Sequence, residues 1–325
     1  MFPSAPNSTG LTRWLADLEA RHLRDMTTSE VARALRALSS TYVERRARLS
    51  DRGAFDTAGK RAAYALYYAP RRFLTVTHVL AAVGAPATPL RVVDLGCGTG
   101  KLTRILHERL AARQTVGIDQ SDSMLAGSRS GTLPPGLTFE VGTIEDFLSG
   151  DVARRLQPSG EGRWDLIFSN AALHWVDDHE RLLAQMADGL ASSGQLAFQV
   201  PAQHDTLTHR LADELAAEEP FRSAFGGWRR SQPVLTPDTY ARLLYRHGLR
   251  EPKAQLIVYP HVLASREDVV EWVKGTMLTE YKRHLPAAVY DQFEDAYRAR
   301  LLDRLEDSRP FFYPFKRILC WGQRA

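Results

Sequence analysis

Leu90-Arg91-Val92-Val93-Asp94-Leu95-Gly96-Cys97-Gly98-Thr99-Gly100 is the stretch on which the reading of this chain turns. Its first half is a short β-branched run, its second half is rich in glycine, and residues 101–112 that follow read as a helix. Glycines between a strand and a helix let the backbone turn tightly and approach a ligand closely. The free N–H groups of the following helix favour an anionic group. The spacing excludes two common phosphate loops. A dinucleotide fingerprint, G-x-G-x-x-G, requires glycine where Lys101 stands. A Walker loop requires glycine in place of Leu95 and Ser or Thr in place of Leu102. What remains is the form D-x-G-x-G-x-G.

Working outward, Thr115-Val116-Gly117-Ile118-Asp119 reads as a second strand, with Ser121 placed to cap the next helix. Leu137–Val141, Trp164–Phe168 and Gln195–Val200 read as the third, fourth and fifth strands, with helical segments between them, one at roughly 179–190. Such alternation implies right-handed βαβ crossovers and a parallel sheet covered on both faces. After Pro201 it breaks. A helix over 205–218, an irregular stretch over 219–235 and a helix over 237–247 precede a sixth strand near 254–263. Two further helices are expected next. Ser265 and Asp268 cap the first, which ends near Gly275; the second starts near Pro286 and shows Val289, Phe293, Tyr297, Leu301 and Leu305 on one side. A last strand lies near 315–323. The expected fold is a doubly wound, mostly parallel, seven-stranded α/β sheet with helical insertions late in the chain. Such insertions sit naturally over the carboxyl ends of the strands, where ligands bind.

Residues 11–83 read as helices ahead of this sheet. Thr27 and Glu30 have capping-box spacing, with Val31, Ala34, Leu35, Leu38 and Tyr42 on one face behind them. Pro70 opens another helix, and Ala85–Pro89 reads as a linker. The expected division is therefore an N-terminal helical cap over 1–88 and a ligand-binding α/β domain over 89–325, with lid insertions at about 201–235 and 264–310.

The composition narrows the class of protein. The 325 residues are 44% hydrophobic and 25% charged, as in ordinary globular chains. The two cysteines, Cys97 and Cys320, provide neither a disulfide framework nor a Cys-rich metal site, so no metal is expected and a reducing cytoplasmic setting is. The first residues do not have the pattern of a signal peptide, and no eighteen-residue apolar stretch suggests a membrane span. The formal charge of +4 is uneven: residues 1–90 carry 13 Lys/Arg against 7 Asp/Glu, and the remainder 29 against 31. A basic first third admits an anionic partner such as RNA, or simply a solvated helical face.

The glycine loop resembles motif I of class I S-adenosylmethionine (SAM)-dependent methyltransferases. Three later stretches extend the resemblance. Asp119-Gln120-Ser121-Asp122-Ser123-Met124-Leu125 is similar to the family's D-x-S-x-x-M-L run. Val141-Gly142-Thr143-Ile144-Glu145-Asp146 is similar to its third motif, with Thr143 in place of an adenine-binding Asp. Trp164–Trp175 resembles its fourth-strand motif. The resemblance implies a SAM site built from Asp94, Gly96, Cys97, Gly98, Gly100, Asp119, Gln120, Met124, Thr143, Ile144, Ser169 and Asn170. In that site Asp119 holds the ribose, Met124 packs on the adenine, the Ile144 N–H serves the adenine in place of the missing Asp, and Ser169 and Asn170 flank the methionine part.

From residue 170 onward the chain resembles the trans-aconitate methyltransferase family, in Leu173–His179, Phe198–Pro201, Val269–Thr276 and Pro314–Arg317. Those enzymes esterify small polycarboxylates. Residues 39–84 are more similar to the helical lead-in of small-ribosomal-subunit methyltransferase-like proteins, without their cysteine cluster. The resemblance implies methylation of a small-molecule acceptor, either a carboxylic acid or a specialised metabolite. RNA methylation through the basic first third and SAM binding without transfer are the alternatives. The arginines of that third are scattered and interleaved with Glu and Asp, so the expected partner is the small molecule and not nucleic acid. A carboxylate acceptor needs positioning by Lys or Arg but no base; a phenol, amine or carbon acid needs a base. His174 is the candidate base and equally a packing residue. Candidate acceptor residues are Tyr68, Trp175, Trp272, Lys274 and Arg317, each with an ordinary packing or solvated-charge alternative.

Overall fold

The computed structural model describes residues 90–129, 132–149 and 163–325, together with scattered positions between 16 and 34. The expected cap over 1–88, including Tyr68, therefore falls almost wholly outside the described residues. At its described positions the Thr27 N–H donates to Glu30 Oε2 at 2.7 Å and the Glu30 N–H to Thr27 Oγ1 at 3.3 Å, the reciprocal pair that the spacing predicts.

Seven strands and ten α-helices are described from residue 90 on: β1 Arg91–Leu95, α1 Lys101–Arg109, β2 Gln114–Asp119, α2 Asp122–Arg129, β3 Leu137–Val141, α3 Ile144–Ser149, β4 Trp164–Asn170, α4 His179–Asp188, β5 Leu190–Pro201, α5 Leu207–Ala216, α6 Phe221–Ala224, α7 Pro237–Arg246, β6 Leu249–Leu263, α8 Glu267–Lys274, α9 Leu278–His284, α10 Ala287–Arg304 and β7 Phe311–Arg324. The strands form one sheet in the order β3-β2-β1-β4-β5-β7-β6. β1 to β5 pair in parallel, and β7 runs antiparallel to both neighbours. The doubly wound, mostly parallel fold is as expected. The strand order reverses between β1 and β4, which opens a crevice at their carboxyl ends.

Successive side chains point to opposite faces of a strand, and both faces here are buried. Val93, Leu95, Val116, Ile118, Ile167, Phe198 and Ile318 pack on one side under α3, α4 and α7. Val92, Leu166, Phe168, Ala197 and Trp321 pack on the other with Leu102 and Leu106 of α1.

Two features exceed the expectation. β5 pairs with β7 only as far as Pro201 opposite Arg317, whereas β6 and β7 stay paired to Leu263 opposite Phe311. Residues 257–263 and 311–317 thus form a two-stranded arm that projects past the carboxyl end of β5. The two late insertions also pack on one another and on this arm. Leu211 and Leu215 of α5, Phe221, Phe225, Val269, Tyr281, Phe293, Tyr297 and Leu301 share a single core with Phe311 and Tyr313. Asp213 ties the two insertions together: it accepts from Arg230 Nη2 at 2.8 Å, from Gln232 Nε2 at 2.7 Å and from the Tyr281 hydroxyl. Sequence reading expected two helices over 264–310 and missed the short α9, whose first turn has no side-chain cap to mark it.

Candidate functional site

The four motif segments meet at the carboxyl ends of β1, β2 and β4. The glycine loop takes left-handed backbone at Gly96, Gly98 and Gly100, with φ of +73°, +59° and +64°. At Gly96 the need for glycine is also steric: a Cβ there would fall on the Cβ of Ala172, just after β4, with Ile144 Cδ1 at 3.8 Å. The first, third and fourth motifs therefore close in on the space above Gly96. Among the described residues a Cβ at Gly98 would meet only the Met124 methyl, at 3.6 Å, so the loop faces a cradle bordered by the second motif.

Asp119 ends β2 and braces that cradle. Its Oδ2 accepts the Gly98 N–H at 2.8 Å and its Oδ1 the Ser121 N–H at 2.9 Å. A carboxylate has about four acceptor positions, so each oxygen keeps capacity for a further donor. Ser121 Oγ accepts the Met124 N–H at 3.3 Å, which starts α2 and fixes the origin of the Met124 side chain. Gln120 is exposed beside them.

Asp94 is 1% exposed and accepts from Thr103 Oγ1 at 2.6 Å. Burial raises its pKa to about 7; the Thr103 bond opposes this and the nearby Asp119 charge adds to it. Burial, with the negative Asp94 and Asp119 alongside, pushes the Cys97 thiol far up, so it stays protonated and is no nucleophile. The Thr143 hydroxyl accepts the Asp146 N–H at 2.9 Å and caps α3, which leaves the Ile144 N–H at the free end of that helix.

The fourth-strand motif divides by face. Ser169 is fully buried and donates to the Leu95 carbonyl at 2.8 Å, tying β4 to the root of the glycine loop. Asn170 is at the carboxyl end of the strand, and its buried Oδ1 has no hydrogen-bond partner among the described residues. Leu173–Trp175 forms a short 3₁₀ turn that leaves Trp175 48% exposed, with the His174 and Trp175 rings 4.6 Å apart. Sequence reading missed the residue that holds this turn. His179 Nε2 lies 2.9 Å from the Leu173 carbonyl and must donate there, so its Nδ1 accepts from the Tyr240 hydroxyl at 2.5 Å. Burial lowers the His179 pKa and keeps the ring neutral.

The other acceptor candidates separate. Arg317 and Trp272 come together: the Arg317 guanidinium lies 5.0 Å from the Phe315 ring, and the Trp272 ring 5.9 Å from the same ring. Arg317 also donates to Gln199 of β5. Lys274 is on α8 and is ion-paired with Glu294 of α10 at 2.5 Å, so its charge is committed between these two helices.

Among the described residues no group of His, Cys, Asp and Glu could hold a metal, and no helix is long and apolar enough to cross a membrane. The glycine cradle, the bracing carboxylate and the orphan Asn170 oxygen fit a nucleoside that carries an amino-acid tail.

Comparison with known proteins identifies the family. A family described as a methyltransferase domain matches residues 65–251. The trans-aconitate 2-methyltransferase of Deinococcus radiodurans is 40% identical over 240 residues, covering 72% of this chain and 86% of that one. The Variovorax paradoxus enzyme of the same name is 34% identical over 264 residues, covering 79% and 93%. Among solved structures, the YcgJ protein of Bacillus subtilis superposes with a TM-score of 0.50 at 15% identity, covering 77% of this chain and 98% of that one, a likeness of fold alone. The reading as a SAM-binding protein without transfer activity is accordingly set aside. With its motifs assembled at one crevice and matches of this extent, the chain belongs to the methyltransferase-domain family and is a class I SAM-dependent methyltransferase.

Proposed function

We propose that the enzyme methylates a carboxylate oxygen of a small polycarboxylic acid. The observation that carries this is Arg317, placed where β5 ends, stacked on Phe315 and on the sheet face shared with Asn170 and Gln199. Relatives at 34–40% identity bear the name trans-aconitate 2-methyltransferase, which supports the same class of acceptor. In this reading Asp119 holds the two ribose hydroxyls, Met124 and the Ile144 N–H border the adenine, and Asn170 Oδ1 accepts from the methionine ammonium. Bound SAM supplies a sulfonium methyl that a nucleophile aligned with its C–S bond can take.

The remaining work belongs to the chain. A carboxylate is already nucleophilic, so no proton has to move and His174 is not required as a base. Arg317 orients the acid by a charge-assisted contact, and the lid excludes water from the reacting pair. A reduced cytoplasmic enzyme acting on a metabolite agrees with free Cys97 and Cys320.

The test is transfer of labelled methyl from SAM to trans-aconitate, to other tri-, di- and monocarboxylates, and to total RNA. The expected product is an ester whose label is released by mild alkali. Alkali-stable label, or label in RNA, would refute the carboxylate reading.

A further inference from the structure

Neighbouring strands carry polar side chains along one face of the sheet, and their hydrogen-bonding character changes between β4 and β5. On β1 and β4 the acceptors of this face are the Asp94 carboxylate and, beside the donor NH₂ of the same amide, the Asn170 Oδ1, which has no partner among the described residues. Gln199 is opposite Asn170 in register, Arg317 is opposite Ile257, and Tyr259 is opposite Phe315, so Gln199, Arg317 and Tyr259 follow diagonally across β5, β7 and β6.

Gln199 is fully buried, and its Oε1 accepts from the Arg317 guanidinium. That bond fixes the amide orientation, because guanidinium has only donors and a flipped amide would set NH₂ against it. Gln199 Nε2 is then a donor, buried and without a partner among the described residues. The Tyr259 hydroxyl is likewise buried without a partner. Burial raises the Tyr259 pKa against the opposing pull of Arg317, so the hydroxyl keeps its proton at neutral pH. A buried donor left unsatisfied costs on the order of 1–3 kcal/mol, and two of them beside a cation complement a ligand with several anionic oxygens.

We propose that Gln199 Nε2 and the Tyr259 hydroxyl, with Arg317, form a donor-only subsite that binds a carboxylate of the acceptor other than the one methylated, and so select polycarboxylates over monocarboxylates. This rests on the carboxylate reading above. The change from acceptors to donors assigns β1 and β4 to the cofactor's ammonium side and β5, β7 and β6 to the acid. Sequence reading identified Arg317 but neither partner, because Gln199 and Tyr259 stand in strands whose apolar neighbours make them look like core.

Tyr259→Phe removes one hydroxyl and little else. In this variant the KM for trans-aconitate should rise about tenfold, with kcat and the affinity for S-adenosylhomocysteine nearly unchanged. The penalty should vanish for a monocarboxylate acceptor. Calorimetric binding of tricarballylate, an acid with no double bond, to the S-adenosylhomocysteine complex gives a second readout and should weaken by a similar factor. Gln199→Met, which also removes the Oε1 partner of Arg317, should raise the KM for trans-aconitate at least as much. An unchanged KM in Tyr259→Phe, or an equal loss for mono- and polycarboxylates, overturns the subsite and leaves the carboxylate reading standing. Tricarballylate binding that depends on Tyr259 without any ester formed upholds the subsite and removes the proposed reaction. A wild-type enzyme that neither esterifies nor binds such acids overturns both.

Discussion

Asp119→Ala perturbs the bracing of the glycine loop and the proposed ribose contact together, and the two effects separate by measurement. In the cofactor-free protein the carboxylate receives the Gly98 and Ser121 N–H groups at 2.8 and 2.9 Å. Both are part-buried bonds to a charged acceptor, and their removal should lower unfolding free energy by about 1–3 kcal/mol. In the complex the ribose hydroxyls would add bonds of the charge-assisted kind, worth about 1.5–3 kcal/mol, so Kd for SAM should rise roughly 10- to 150-fold. Urea denaturation reads the first quantity. Titration calorimetry with S-adenosylhomocysteine, below the onset of unfolding, reads the second. Asp119→Asn keeps one acceptor oxygen but turns NH₂ toward one of the two loop donors, so it should fall between wild type and alanine. Stability loss with a Kd within about twofold of wild type would reduce Asp119 to a brace and withdraw the ribose assignment.

Two further outcomes are expected. The Asp94 pKa, raised to about 7 by burial, means that the folded state favours the protonated acid. Its stabilising contribution is present below the unfolded value near 4 and is lost as pH climbs through about 7, so Asp94→Asn should gain on wild type between pH 5 and pH 8 by about 2–3 kcal/mol. Paired urea titrations at the two pH values check this, and a gap that does not widen is the contrary result. Gly96→Ala combines a left-handed φ of +73° with a Cβ placed on Ala172, and should cost about 2–4 kcal/mol in the same assay. A neutral Gly96→Ala would mean that β4 and the glycine loop are not packed together as described.

Much of the fold was legible because its signals are local. Alternating β-branched runs and glycines at a turn act within a few residues, and they marked every strand of the sheet to within about five positions; Ser265, by contrast, does not cap α8, whose N-cap position is Arg266. The candidate cofactor segments could be named from the sequence for the same reason: close backbone approach demands glycine at set spacings, and a strand-end carboxylate is placed by the strand itself. Other features depend on contacts between distant segments. The packing of 201–235 against 264–310 rests in part on Asp213, Arg230 and Tyr281 meeting. Lys274 looked like a free cation in the sequence, and only packing sets Glu294 against it. His179 read as one more polar residue at a helix start, until folding brought Tyr240 and the Leu173 carbonyl to its two nitrogens. The donor character of Gln199 was decided last, by the register of β5 against β7 that brings Arg317 to its oxygen. The sequence thus determined the sheet and the candidate cofactor residues through short-range stereochemistry. Strand register, which joins Gln199 to Arg317 across 118 positions, and the packing of the late helices decided which of the candidate polar groups stand together.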